Sequence, residues 1–284
     1  MSCPLEVKNI YVTSTNRDVS RFPYGNSYTL YLTTPIKDIT NVELLYASIP
    51  NTMYNVTDGT NVIGFTDTSN TTGNCVLTSI PLGFYGSTTM AGTIYNATAY
   101  YSNIAISYLS GEGRFLFTRN TSFTMNIMTQ ELSTLLGFDY PCSVNATNSA
   151  VTAYANNLTY RGLWYIKSKY VIDLNTYDGV FLDIQELRTM YNECTPKGGP
   201  NETTNNNTAN RSFGMIPMDV SSGAIKRFKK SSEYDLDIHY PYPIQKIDRL
   251  TVSWIDKNGN LLDFNGADDN AVILRFHTLR KNLC

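Results

Sequence analysis

The residues best placed to do chemistry lie near the C-terminus, in LTVSWIDKNGNLLDFNGADDNAVILRF. Asp256, Asn258 and Asn260 there have the first, third and fifth spacing of oxygen ligands in a calcium loop. Such a loop also needs Gly in sixth place for its sharp bend and a bidentate Glu in twelfth, and here those places hold Leu261 and Ala267. The stretch therefore reads as a turn without metal. Asn258-Gly259 suits a type I′ hairpin, and the apolar residues on either side predict a three-strand meander ending in Ala271–Phe276.

Other candidates for catalysis are few. The imidazoles are His239 and His277, and His239 lies in an aromatic-proline run that reads as the exit from a strand. The carboxylate pairs Asp173 with Asp183 and Asp268 with Asp269 could in principle act as acid and base, but nothing in their spacing sets them across a cleft. Gly111-Glu112-Gly113 lacks the third Gly of a dinucleotide loop, and no nucleophile elbow, phosphate loop or CxxC pair occurs. These residues predict no catalysis, no cofactor and no metal.

One basic cluster stands out, Lys226-Arg227-Phe228-Lys229-Lys230. It could contact phosphates, with Phe228 stacking on a base. The reading favoured by its short length is a Lys-rich edge strand or solvated face that forms part of a protein interface, with no specific nucleic acid.

These residues must be positioned by β structure. Period-2 runs occur at Tyr28–Leu32, Val42–Ala47, Asn61–Phe65, Cys75–Leu77, Ile104–Tyr108, Arg114–Phe117 and Phe123–Ile127. Further runs fall at Leu163–Ile166, Tyr170–Leu174, Val180–Ile184 and Phe213–Pro217. Two short helices interrupt them: one capped by Ser87 with Met90, Ile94 and Ala97 on one face, and one over Thr129–Phe138 with Thr129 as N-cap and Gly137 past its end. The fold class is all-β, mainly strands with two short helices, in an antiparallel β-sandwich. We expect one elaborated unit over residues 1–284 with a mobile insertion near 195–210, where Asn, Gly and Pro leave little to bury. A division near 145–157 into two tandem sandwiches is the alternative.

Charged residues make up 16% of the chain, below the roughly 25% of an average soluble protein, while Tyr, Asn and Thr are abundant. A surface of this kind suits burial against neighbours, since interface cores are poor in Lys, Glu and Asp and rich in aromatics. The net charge of -2 selects no partner. The N-terminal MSCPLEVKNIYV has no export signal, and no apolar run approaches the ~20 residues of a membrane span. The sequons, such as Asn55 and Asn96, then reflect composition. Cys3, Cys75, Cys142, Cys194 and Cys284 stand singly, which predicts reduced, partly buried thiols, with Cys3 and Cys284 near the termini able to cross-link neighbours.

Five blocks carry a resemblance: STNRDVSRFPYGNSYTLYL, VELLYASIPNTMYNV, GFYG, TQELSTLLGF and KIDRLTVSWIDKNGNLLDFNGADDNAVILRF. In this order they resemble the minor capsid proteins of nucleocytoplasmic large DNA viruses, especially those infecting algae. The resemblance implies a jelly-roll-like sandwich that cements major capsid capsomers in an icosahedral shell, without catalytic residues. Its implied partners are the major capsid protein, other minor capsid proteins and other copies of itself. It places the chain in the virion, made in the host cytoplasm and near an inner membrane that it does not cross. A penton at the vertices is the nearest alternative. A carbohydrate-binding sandwich using Trp164, Trp254 or surface tyrosines is an alternative of another class.

Overall fold

The computed structural model describes residues 5–67, 75–102, 104–140, 142–145, 147–148, 163–174, 177–188, 212–231 and 234–279. In chain order its strands are β1 (Leu5–Thr13), β2 (Ser27–Pro50), β3 (Val62–Asp67), β4 (Cys75–Ser79), β5 (Ala105–Leu109), β6 (Arg114–Arg119), β7 (Phe123–Ile127), β8 (Cys142–Asn145), β9 (Thr147–Asn148), β10 (Trp164–Lys167), β11 (Gly179–Ile184), β12 (Gly214–Pro217), β13 (Ile225–Lys229), β14 (Asp237–Ile255) and β15 (Ala271–Leu279). The helices are α1 (Ser87–Ser102) and α2 (Gln130–Leu136). Among the described residues every strand pairing is antiparallel, as the alternating pattern predicts. The chain divides into one unit of Met1–Met53 with Tyr177–Cys284 and a second of Tyr54–Thr176. The insertion near 195–210, and residues 149–157 of the alternative boundary, lie outside the described residues.

The first unit is built on one sheet in the order β1-β15-β2-β14-β11-β12, with β13 also pairing β2. β2 has 24 residues and β14 has 19. At about 3.4 Å per residue, straight strands of that length would outrun any single core, and both bend where pairing is interrupted. Leu32–Pro35 of β2 stand opposite Asp248 alone, and Tyr240–Pro243 of β14 stand opposite Thr40 alone. Proline causes both breaks, because Pro35, Pro241 and Pro243 cannot donate to a ladder. The aromatic-proline run is therefore a bulge inside β14 and not the strand's exit.

Bending lets the two ends of the same sheet face one another. Tyr28 from the start of β2, Trp254 from the end of β14 and Val272, Leu274 and Phe276 from β15 belong to one buried cluster. Asn270 fastens it: its Oδ1 accepts from Tyr28 Oη at 3.0 Å and Trp254 Nε1 at 2.9 Å. Its Nδ2 donates to the Gly25 carbonyl at 2.8 Å and its backbone N–H to Ser14 Oγ at 2.9 Å. Gly25 is required there, since a Cβ would lie 2.1 Å from the Asp268 carbonyl oxygen.

The expected C-terminal meander does not form. β14 and β15 lie on opposite edges of β2, and only an Ile255–Leu261 bridge follows the turn. The turn is also not type I′. Gly259 has φ +85 but Asn258 does not share it, and the Gly259 N–H donates to the Asp256 carbonyl at 3.1 Å. This is a turn begun one residue earlier and closed by a left-handed Gly. It is selected because Asp256 Oδ1 accepts from the amides of Asn258 and Asn260, each at 2.8 Å.

The second unit is a β-sandwich of two four-stranded sheets, β5-β6-β10-β9 and β4-β3-β7-β8. Phe65 of one sheet packs on Phe117 of the other with ring centroids 6.3 Å apart. α1 adds Met90 and Ile94 to this core, and α2 adds Leu132 and Leu136. Fully burying a side chain of this size contributes about 1.5–3 kcal/mol. α2 begins and ends as its sequence predicts: Thr129 Oγ1 accepts the Leu132 amide at 3.3 Å, and Gly137 adopts φ +77. α1 differs by one residue, since Ser87 is its first helical residue and the Gly86 carbonyl accepts the Met90 amide. Tyr170–Leu174 forms no strand; Ile172 instead bonds the Gly113 carbonyl as part of a loop.

Candidate interaction surface

The calcium-like residues have their oxygen atoms engaged at home. Asp256 Oδ2 accepts from Asn260 Nδ2 at 3.1 Å while Oδ1 caps two amides, so the carboxylate is committed to its own turn. Among the described residues no group of three or more His, Cys, Asp or Glu could hold a metal ion. Asp183 is buried and receives Arg188 Nε at 2.8 Å, while Asp173 lies in the other unit. Asp268 meets Arg17 Nη2 at 3.5 Å. His239 is exposed beside Asp237.

His277 belongs to a charge cluster that sequence spacing did not reveal. Glu43 on β2 is buried, with His277 Nε2 at 2.5 Å from one carboxylate oxygen and Lys230 Nζ at 2.8 Å from the other. Lys230 also reaches Asp235 at 3.0 Å, and Arg275 lies 3.8 Å from Glu43. Burial pushes the Glu43 carboxyl up, but the hydrogen bonds and charges of Lys230 and His277 outweigh it and hold the group below its usual 4.5. The cluster joins β2 to β15 and to the residue after β13, and its groups are paired with one another.

Lys226–Lys229 of the basic cluster lie on β13, which pairs β2 from Ile225↔Pro50 to Lys229↔Tyr46, and Lys230 follows it. Strand alternation splits the cluster. Phe228 points inward, buried, and meets Tyr234 edge-on at 5.9 Å, so it is not available to stack on a base. Lys226 is tied to Asp219 and Lys230 to Glu43. Arg227 and Lys229 are exposed with no ion-pair partner among the described residues. Thus the structure keeps two of the five residues as free surface charge.

A second surface is the groove between β1 and the first part of β2, about 730 Å³. Consecutive residues line it, Lys8–Val12 on one side and Thr29–Thr34 on the other, as expected where strand edges rather than faces form the walls. Ser14 N–H bonds Asn270 O, so in β1 the even-numbered backbone groups face β15 and those of Asn9 and Tyr11 face outward. Trp254 N–H bonds Asn26 O and Thr251 N–H bonds Glu186, which in the same way turns Thr29 and Tyr31 away from β14. No described strand pairs with these outward groups. Ile10, Phe22, Leu30 and Leu32 are only partly buried against the core behind them.

A family of unknown function (DUF5901) matches residues 6–212, more than two thirds of the chain. The chain belongs to that family. No curated protein matches it. Among solved structures, the chain is similar to the selenomethionine-labelled mavirus penton protein at 11% identity and TM-score 0.48, covering 98% of this chain and 100% of that one. It is also similar to a chain of the Sputnik virophage, at 13% identity and TM-score 0.39, covering 96% and 98%.

Within the family's matched range lie both groove walls and Glu43, but not β13 or His277. Large aromatic side chains stand outward on the first unit: Tyr242 is 86% exposed, Tyr31 69%, Tyr24 64% and Tyr11 62%. The stacking platform considered for sugars is absent at Trp254, which is fully buried as its apolar strand face predicts. Trp164 is half-buried against the core of the second unit. Cys75 is free and exposed, contrary to the expectation of a partly buried thiol; Cys3, Cys194 and Cys284 lie outside the described residues.

Proposed function

We propose that the chain is a structural subunit of an icosahedral virus shell, a minor capsid protein that cements major capsid capsomers. The observation that carries this is the set of outward tyrosines held on or beside paired strands in a chain of low charge. A rigid aromatic side chain loses little entropy on binding and supplies large contact area, which is why Tyr is enriched at interface cores. Interfaces of about 800 Å² per partner, repeated around the subunit, hold such a shell without any catalytic site. The order of the five sequence blocks supports the same reading. No described helix is long and apolar enough to cross a membrane.

Absolute copy number in purified virus particles, measured by quantitative mass spectrometry before and after membrane and DNA are stripped, tests the proposal. Retention at many copies per facet is the expected result. Retention at about five per vertex replaces cement with penton. Absence from the stripped shell overturns the capsid role.

A further inference from the structure

We infer that the groove between β1 and the first part of β2 takes up an isolated extended segment of another polypeptide, with apolar residues at alternate positions and carboxylates between them. The inference does not depend on the capsid reading.

Three features of the groove select this occupant. Both walls present unpaired backbone donors and acceptors, at Asn9 and Tyr11 on one side and at Thr29 and Tyr31 on the other. An added strand satisfies such groups whatever its side chains are. A strand that already belongs to another sheet has one edge occupied and could serve one wall only; an isolated segment can serve both. The Thr29–Thr34 wall has the length of an ordinary strand of five or six residues.

The floor sets the pattern of side chains. Ile10, Leu30 and Leu32 point toward the core and remain partly open, as does Phe22. Apolar residues at every second position of the occupant would cover them, since successive side chains of a strand alternate between faces.

The rim sets the charge. Lys8 and Arg21 line the groove, and neither makes an ion pair among the described residues; Arg21 attracts Asp18 at longer range and lies 5.6 Å over the Phe22 ring. The one acid lining it, Asp18, already accepts from the N–H and hydroxyl of Ser20. A segment bearing carboxylates is thereby favoured. Residues 280–284 of this chain, RKNLC, carry two cations and no acidic side chain, so charge favours a different polypeptide over the same segment of a second copy.

The test uses the full chain and a synthetic peptide as long as β1, TVEVTIDVT capped at both ends. We expect saturable binding by fluorescence anisotropy, together with slower hydrogen exchange at the amides of Asn9, Tyr11, Thr29 and Tyr31. The charge-reversed peptide TVKVTIKVT, and the Lys8→Glu variant with the original peptide, should each bind about tenfold more weakly. Asn9→Pro should reduce binding while leaving the unfolding midpoint in place, because an edge strand tolerates proline where its N–H faces outward. Absence of saturable binding, equal affinity for the two peptides, or binding that leaves those four amides exchanging as before overturns the inference.

Discussion

Replacing Asn270 with Ala should destabilise the first unit far more than the size of the side chain suggests. Asn270 is 2% exposed, and its Oδ1 is the acceptor for both Tyr28 Oη and Trp254 Nε1, which belong to fully buried residues. Alanine strands both donors and also leaves the Gly25 carbonyl without its donor. A buried polar group deprived of its partner costs about 1–3 kcal/mol, so stranding these three should cost about 3–9 kcal/mol, a large part of the 5–15 kcal/mol typical of a whole domain. Burial already holds the Tyr28 hydroxyl far above the usual tyrosine range, so the stranded group cannot escape by ionising. Urea unfolding followed by tryptophan fluorescence measures the loss. The chain has two tryptophans, and Trp164→Phe leaves Trp254 as reporter of the first unit. Tyr28→Phe should cost about 1 kcal/mol in the original chain but be neutral or stabilising beside Asn270→Ala, because there it removes a stranded donor. A loss below about 1 kcal/mol for Asn270→Ala, or additive costs in the double variant, would refute the reasoning.

Two further perturbations probe one buried charge and two exposed ones. The folded state holds Glu43 below its usual 4.5, so its stabilisation is present above that value and is lost as pH falls through the lower folded value. Urea midpoints measured from neutral pH to about pH 3 should therefore drop more steeply for the original chain than for Glu43→Gln, which starts lower at neutral pH; parallel curves would contradict the pairing. Replacing Arg227 and Lys229 together with Thr should shift stability by no more than about 0.5 kcal/mol yet speed aggregation by light scattering, because the edge of β13 that no described strand pairs loses its charges. Unchanged scattering would show that these charges do not guard the edge.

The elements legible in the sequence are those fixed by neighbours along the chain. Thr129 and Gly137 bound α2 because cap bonds span only a few residues. The alternation in Phe123, Met125 and Ile127 puts all three inside, and the alternation of Leu250, Val252 and Trp254 does the same. Leu261 and Ala267 at the sixth and twelfth places argue against a calcium loop from the sequence alone. Of the candidate interface, strand character was legible in Lys226–Lys230, but the assignment of Phe228 to the core was not, since it depends on which face of β13 meets the unit.

What only the tertiary structure decided are relations between residues far apart in the chain. The meander was expected because sequential strands usually pair, yet β2 comes between β14 and β15 and takes an edge of each. Glu43 meets His277 across 234 positions, and Asn270 meets Tyr28 across 242. No local spacing encodes such pairs: Glu43 meets His277 because β15 pairs beside β2, and Asn270 reaches Tyr28 because β2 and β14 bend at their prolines and bring both ends of one sheet over a shared core. The open groove follows from the same bend. Whether a strand edge finds a partner is settled by which strands the fold brings beside it, and the sequence of β1 alone carries no sign that Asn9 and Tyr11 would be left facing outward.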